Sequence, residues 1–96
     1  MEKRRLTVDL HAGTLHPSTC PVVEIAPGEQ HYRDAFGGYS RVDAASPYSG
    51  ERFVMTGLHD DLGEAAAAAA AELRRRAEQL VALAQQCEQI EESTHA

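Results

Sequence analysis

Large apolar side chains are scarce in this sequence. It contains no tryptophan, two phenylalanines and three tyrosines. Leu, Ile, Val and Phe together occupy 18 of the 96 positions, while alanine alone occupies 16. Short chains bury the smallest fraction of their surface on folding, and so few bulky residues make a small core. We therefore expect part of the apolar surface to be covered by a protein partner or by a second copy.

Long hydrophobic runs and abundant cysteine are also missing. The longest uninterrupted apolar run is the seven alanines at 65–71, which is far too short to span a bilayer. The opening Met-Glu-Lys-Arg-Arg lacks the apolar stretch of a signal peptide. Two cysteines without other signs of an oxidising compartment are expected to be reduced thiols. The sequence therefore predicts a cytoplasmic protein that does not associate with a membrane.

Basic residues are also few, and acidic residues outnumber them. Nine Lys and Arg oppose fifteen Asp and Glu, so the formal charge is -6 with the five histidines neutral. Residues 1–56 sum to -1, from six basic and seven acidic side chains, and residues 57–96 sum to -5, from three and eight. Direct phosphate binding requires a basic surface. The composition thus argues against direct binding of nucleic acid.

The first 56 residues have the pattern of short strands and turns. They hold all four prolines and five of the seven glycines. Leu6, Val8 and Leu10 alternate with polar residues, which predicts a strand with one buried face over 5–11. Pro27 and Gly28 occupy the positions that a type II turn favours. Further strands are predicted over 21–27, 30–33, 39–43 and 51–56, with a loop over 46–50.

The remaining residues have the pattern of one long helix. Asp61 followed three positions later by Glu64 is typical of a helix N-terminus, with Asp61 as the N-cap. Ala, Leu, Glu, Arg and Gln, all strong helix formers, dominate thereafter. Glu72 and Arg76 are spaced to pair on one flank. The pattern predicts a helix over about 62–92.

The expected fold class is α+β. A small antiparallel β-sheet or set of hairpins in the β-rich part, residues 1–56, is followed by one long C-terminal α-helix in the helical part, residues 57–96, and both belong to a single domain. A helix of about 30 residues is roughly 45 Å long, whereas a six-residue strand spans about 20 Å. Part of the helix is therefore expected to pack on something besides the sheet.

A heptad pattern runs along this helix and predicts self-association. Apolar residues recur every seven positions, with others beside them on the same stripe. Such a stripe on a helix longer than its sheet predicts a homodimer or a higher even oligomer. The residues assigned to this contact are Ala66, Leu73, Leu80, Leu83, Cys87 and Ile90.

Residues with catalytic or metal-binding chemistry occur without a recognisable motif. The spacing of His11, His16 and Cys20 does not reproduce that of zinc sites. The sequence His59-Asp60-Asp61 is more typical of helix capping than of a metal-dependent hydrolase, which needs further ligands on neighbouring helices. We therefore expect a protein that is not an enzyme and that has neither a cofactor nor a metal.

Two surfaces are candidates for binding a protein partner. One is acidic, at the two ends of the helix, where it would attract a basic partner. The other is an aromatic loop, because aromatic side chains are favoured as interface anchors. The acidic residues are Asp60, Asp61, Glu64, Glu88, Glu91 and Glu92, and the aromatic residues are Phe36, Tyr39 and Tyr48.

A small, acidic chain rich in alanine and arginine, without an enzymatic motif, resembles in its format the accessory inhibitors of phages and mobile elements, such as anti-CRISPR proteins. This resemblance implies a non-catalytic protein-binding module that acts on a host nucleic-acid-binding machine through its acidic surface. Two alternatives remain open. One is a structural or assembly protein that oligomerises through its C-terminal helix, and the other is a small metal-binding module.

Overall fold

A computed structural model describes residues 1–33, 37–42 and 47–95 of the chain. The described residues form a β-rich N-terminal part followed by one long helix, which confirms the predicted α+β class. The elements are β1 (Glu2–Asp9), β2 (Thr14–Ala26), β3 (Glu29–Arg33), β4 (Tyr39–Arg41), β5 (Tyr48–Ser49), β6 (Phe53–Met55) and α1 (Leu62–His95).

The strands form one curled antiparallel sheet in the order β4-β3-β2-β1-β6-β5. The long strand β2 joins the two halves of this sheet. Its first part, from Thr14 to Pro21, pairs with β1, and its second part, from Val22 onward, pairs with β3. Two of the shortest strands, β4 and β5, lie at the two edges.

The first strand ends two residues earlier than the alternating pattern predicts. The Asp9 carboxylate accepts hydrogen bonds from the backbone N–H groups of His11 and Ala12, both at 3.1 Å. The N–H of Gly13 donates to the Asp9 carbonyl at 2.8 Å, and Gly13 has a φ of 67°, which favours glycine. Asp9 thereby turns the chain before the predicted end at residue 11.

A single strand of 13 residues, Thr14–Ala26, replaces the short strand predicted over 21–27. The N–H of Val22 donates to the Met1 carbonyl at 2.8 Å. Because alternate N–H groups of a strand point to opposite sides, the nitrogens of Pro17 and Pro21 face away from β1. On that side β3 pairs only from Val22 onward, so neither proline removes a ladder hydrogen bond.

The other β predictions are met with shifted bounds. Gly28 has a φ of 81°, as the predicted turn between β2 and β3 requires. Strand β3 covers the prediction over 30–33, and β4 and β6 are shorter than predicted. The loop predicted over 46–50 is wrong at residues 48–49, which form β5, where Ser49 pairs with Val54. Residues 43 and 46 of these predictions lie outside the described residues.

The core lies between the helix and the strands β1 and β6. Leu6, Val8 and Val54 form its sheet side, and Ala65 and Ala69 form its helix side. Alanine has no atoms beyond Cβ, so the helix backbone approaches the sheet closely at both positions. Two alanines of the 65–71 run therefore serve the sheet contact.

The helix begins where the sequence predicts. The backbone of His59 exchanges hydrogen bonds with that of Arg4, at 2.7 and 2.8 Å, and so fixes the approach to the helix. The N–H of Glu64 then donates to the Asp61 carboxylate at 2.8 Å. Asp61 is thus confirmed as the N-cap.

The helix extends well beyond the sheet. Its 34 residues correspond to about 51 Å at 1.5 Å per residue, and the longest dimension of the molecule is 68 Å. From Ala77 to Thr94 every side chain is exposed. Residues 77–95 are called the overhang below.

The close contact at Ala65 predicts strong sensitivity to size. Ala65 is fully buried, so Ala65→Leu forces bulk between helix and sheet and is expected to cost about 1–3 kcal/mol of unfolding free energy. The matched control is Ala67→Leu, at an exposed position of the same run. Urea denaturation followed by circular dichroism measures both variants, and equal midpoints would contradict this packing.

Candidate functional site

A polar junction holds the helix at the point where it leaves the sheet. Arg76 donates to the Ser49 hydroxyl through Nε at 3.1 Å and Nη2 at 2.7 Å. The same hydroxyl donates to the Glu72 carboxylate at 2.7 Å. The predicted pair of Glu72 and Arg76 is present at 3.6 Å. Ser49 was not singled out in the sequence, because its role depends on the edge strand β5.

Glu72 supplies the carboxylate of this junction. Its carboxylate accepts hydrogen bonds from Arg75 and from Ser49, and these lower its pKa from 4.5 to about 2, with the charges of Arg75 and Arg76 adding to the effect. The same contact raises the pKa of Arg75. Glu72 is therefore ionised in the folded protein at neutral pH, and it stays ionised at pH values below the usual pKa of a glutamate.

An exposed apolar stripe begins one turn beyond this junction. It consists of Leu80, Leu83, Cys87 and Ile90, and is called the apolar stripe below. Leu80 is 66% exposed, Leu83 54% and Ile90 67%, and Cys87 is exposed as well. The apolar side chains of this stripe are therefore exposed to solvent.

The apolar stripe continues the helix face that packs on the sheet. Seven residues turn an α-helix by about 700°, only about 20° short of two full turns. Leu80 and Cys87 therefore follow Leu73, which packs against the core, while Leu83 and Ile90 follow Ala69 at multiples of seven. One face is thus covered by the sheet in its first half and uncovered in its second.

The predicted oligomerisation residues divide along this face. Leu73 is partly buried against the core, and Ala66 is exposed beside the buried Ala65. The other four predicted residues are those of the apolar stripe. All six residues lie on one helix, but Leu73 packs against the core at the sheet.

Between Leu80 and Cys87 the flanks of the apolar stripe carry no charge, while Glu91 lies on the flank beside Ile90. Residues 79–87 read Gln-Leu-Val-Ala-Leu-Ala-Gln-Gln-Cys, without an acidic or basic side chain. In a heptad these flanks are the positions where charges select or reject a partner helix. The flanking residues here are Ala77, Gln79, Ala84 and Gln86.

The predicted acidic surface consists of two separate groups. At the helix start, Asp60 forms an ion pair with Lys3, whose hydrogen bond lowers the pKa of Asp60, and Asp61 caps the helix. Glu64 is exposed in the first turn. The second group is exposed near the helix end, about 36 Å away at 1.5 Å per residue. It comprises Glu88, Glu91 and Glu92.

The predicted aromatic residues do not form one loop in the described part of the chain. Tyr39 lies on β4 and Tyr48 on β5, the two opposite edge strands of the sheet. Both are exposed, at 58% and 54%. Phe36 lies outside the described residues.

The histidine and cysteine residues weighed as metal ligands are dispersed. His11 lies in the turn after β1, while His16 and Cys20 lie four residues apart in β2, about 13 Å in an extended strand. Within residues 1–33, 37–42 and 47–95, no group of three or more His, Cys, Asp or Glu side chains is placed to hold a metal ion.

Asp9 is a buried carboxylate that the sequence did not mark. Besides two backbone N–H groups it accepts from Arg52, at 3.3 Å to Nε and 3.2 Å to Nη2. The Arg52 hydrogen bond is the main reason that the pKa of Asp9 lies below its usual value. Asp9 thus links the β1–β2 turn to the segment before β6, which is a structural role.

Comparison of the chain with protein-family models, curated proteins and solved structures finds no match. Among the described residues, α1 is not apolar enough to cross a membrane.

The depressed pKa of Glu72 predicts a pH-dependent junction. An acid whose pKa is lower in the folded state stabilises the fold above its unfolded pKa, here about 4.5, and loses this effect as pH falls towards about 2. We expect Glu72→Gln to lower the thermal midpoint at neutral pH. The difference in thermal midpoint between wild type and variant is expected to shrink as the pH falls from 4.5 to 2. The control is Glu88→Gln, which removes an exposed charge. A gap that stays constant with pH would contradict this role.

Proposed function

We propose that this chain is a non-catalytic protein-binding module that assembles through its helical overhang, and that the overhang binds a second copy of the chain. The observation that carries the proposal is the apolar stripe, which continues the sheet-packed face of α1 and has no cover among the described residues. The sheet holds the first half of the helix, so that the second half is presented for binding.

Burial of the apolar stripe supplies the driving force. Transfer of a Leu or Ile side chain from water into a packed interface is worth about 1.5–3 kcal/mol when complete. Leu80, Leu83 and Ile90 are each more than half exposed. A chain with so few bulky residues leaves three of them on one face of the overhang, where a partner can bury them.

A second copy suits this surface in spacing and in charge. The alternating spacing of three and four residues from Leu80 to Ile90 is that of helices packed side by side. Around Leu80, Leu83 and Cys87 the flanks are uncharged, so two identical helices can approach there without repulsion between like charges. A self-complementary contact of this kind closes into a dimer.

Substitution in the apolar stripe is expected to separate assembly from folding. Leu80→Glu places a charge in the dimer contact but touches no part of the core, so we expect the dimer to dissociate while the monomer stays folded. Leu73→Glu is expected to destabilise the fold itself, because Leu73 packs on the core. Gln85→Glu, on the opposite side of the helix, adds the same charge as a control. Light scattering and circular dichroism measure both properties, and a folded wild-type monomer at high concentration would overturn the proposal.

A second candidate function is binding of a basic protein at the acidic helix end. Glu88, Glu91 and Glu92 are exposed, and no hydrogen bond or ion pair engages them within the described chain. This end is a better candidate than the helix start, where Asp60 and Asp61 already have partners. Inhibition of a host nucleic-acid-binding machine, as the resemblance to phage inhibitors implies, stays a prediction.

The acidic end can be tested once a partner is identified by co-purification and mass spectrometry. We expect the association rate to fall as salt rises, because the screening length is about 8 Å at physiological ionic strength and shorter above it. Replacement of the three glutamates by lysine is expected to slow association without unfolding the helix. An association rate indifferent to salt, together with loss of binding on alanine substitution of Tyr39 or Tyr48, would favour the aromatic surfaces instead.

A further inference from the structure

The geometry points to an antiparallel pairing of the two overhangs, in which each helix end reaches the point where the other helix leaves its sheet. This inference rests on the proposed self-association and adds the orientation and register of the second copy. Three independent observations carry it: the position of the sheet, the distribution of charge and the length of the overhang.

The position of the sheet decides the orientation. The apolar stripe lies on the same helix face as Ala69 and Leu73, which contact the sheet. Two parallel helices that join this face in their second halves also bring it together in their first halves. Both sheets would then occupy the same space between the helices. In an antiparallel pair the overhangs overlap, and the two sheets lie at opposite ends.

The charges favour the same orientation. A parallel pair places Glu88, Glu91 and Glu92 of one copy beside the same three carboxylates of the other, with six negative charges at one end. An antiparallel pair separates the two groups by the length of the overlap. With Leu83 opposite Cys87, each group faces residues 78–82 of the other helix, where Glu78 is the single charged side chain. The antiparallel orientation is favoured because it keeps the two acidic groups apart.

The length of the overhang sets the register. When Leu83 lies opposite Cys87 and Leu80 opposite Ile90, all four members of the apolar stripe are paired, in two symmetric sets. Thr94 then reaches Arg76, where the sheet ends. A shift of one heptad towards the sheet would drive Thr94 against Ala69, which is buried under the sheet. A shift of one heptad the other way pairs only Cys87 with Ile90 and sets Leu83 opposite the polar Thr94.

Disulfide cross-linking tests this arrangement on the full chain. Every variant carries Cys20→Ser, so that Cys87 is the remaining native thiol, and copper-phenanthroline is the oxidant. Cys87 does not face itself in the antiparallel register, so the parent is expected to give no covalent dimer. Leu83→Cys is expected to convert most of the chain into a covalent dimer linked between the introduced cysteine and Cys87. Leu83→Cys combined with Cys87→Ser, the matched control, is expected to give none.

A second pair of introduced cysteines tests the same register without replacing Leu83. Leu80→Cys with Ile90→Cys, in the background lacking Cys20 and Cys87, is expected to cross-link between the two introduced positions of different copies. Peptide mapping identifies the linked positions, and light scattering before oxidation establishes the dimer.

The outcomes separate the two proposals. A covalent dimer of the parent through Cys87 alone shows parallel helices and overturns this inference, while self-association stands. Dimers that cross-link at neither designed pair overturn the register and hence the inference. A wild-type protein that is monomeric at high concentration overturns the proposed function itself.

Discussion

The mismatch in length between helix and sheet is the constraint on which the rest of the molecule depends. Strand β1, the main support of the helix, has 8 residues and spans about 26 Å, while the helix is about 51 Å long. The sheet can therefore cover only the first half of the helix face, which is apolar at Ala69 and Leu73 and again along the apolar stripe beyond the junction. Whether the second half stays exposed or is buried against another molecule decides the oligomeric state of the protein.

Small side chains allow a small sheet to hold this helix. Ala65 and Ala69 bring the helix backbone close to Leu6, Val8 and Val54, so the contact is short and needs few bulky residues. The junction of Ser49, Glu72 and Arg76 then fixes the helix at the sheet edge. The leucines and the isoleucine of the apolar stripe, which would suit a larger core, lie instead on the overhang, where no other described residue covers them.

Local signals predicted the helix well and the strands less well. The capping residue Asp61, the run of helix formers and the heptad spacing all act within a few residues of one another, so they can be recognised without knowledge of the fold. Strand β2 is different, because the tolerance of Pro17 and Pro21 depends on which side of the strand has a partner. Asp9 and Ser49 were likewise unremarkable in the sequence, since Arg52 and Arg76 reach them only in the folded chain.

The sequence by itself determined that a β-rich part precedes one long helix. It also determined that apolar residues recur along this helix over a length that a small sheet cannot cover. Periodicity and capping are properties of adjacent residues, which is why both could be read in advance. Only the tertiary structure decided where along this helix face the sheet ends, between Leu73 and Leu80, so that Leu73 packs against the core and the apolar stripe stays exposed. Those positions follow from the register of the strands and the packing of two alanines, because contacts between residues far apart in sequence set them.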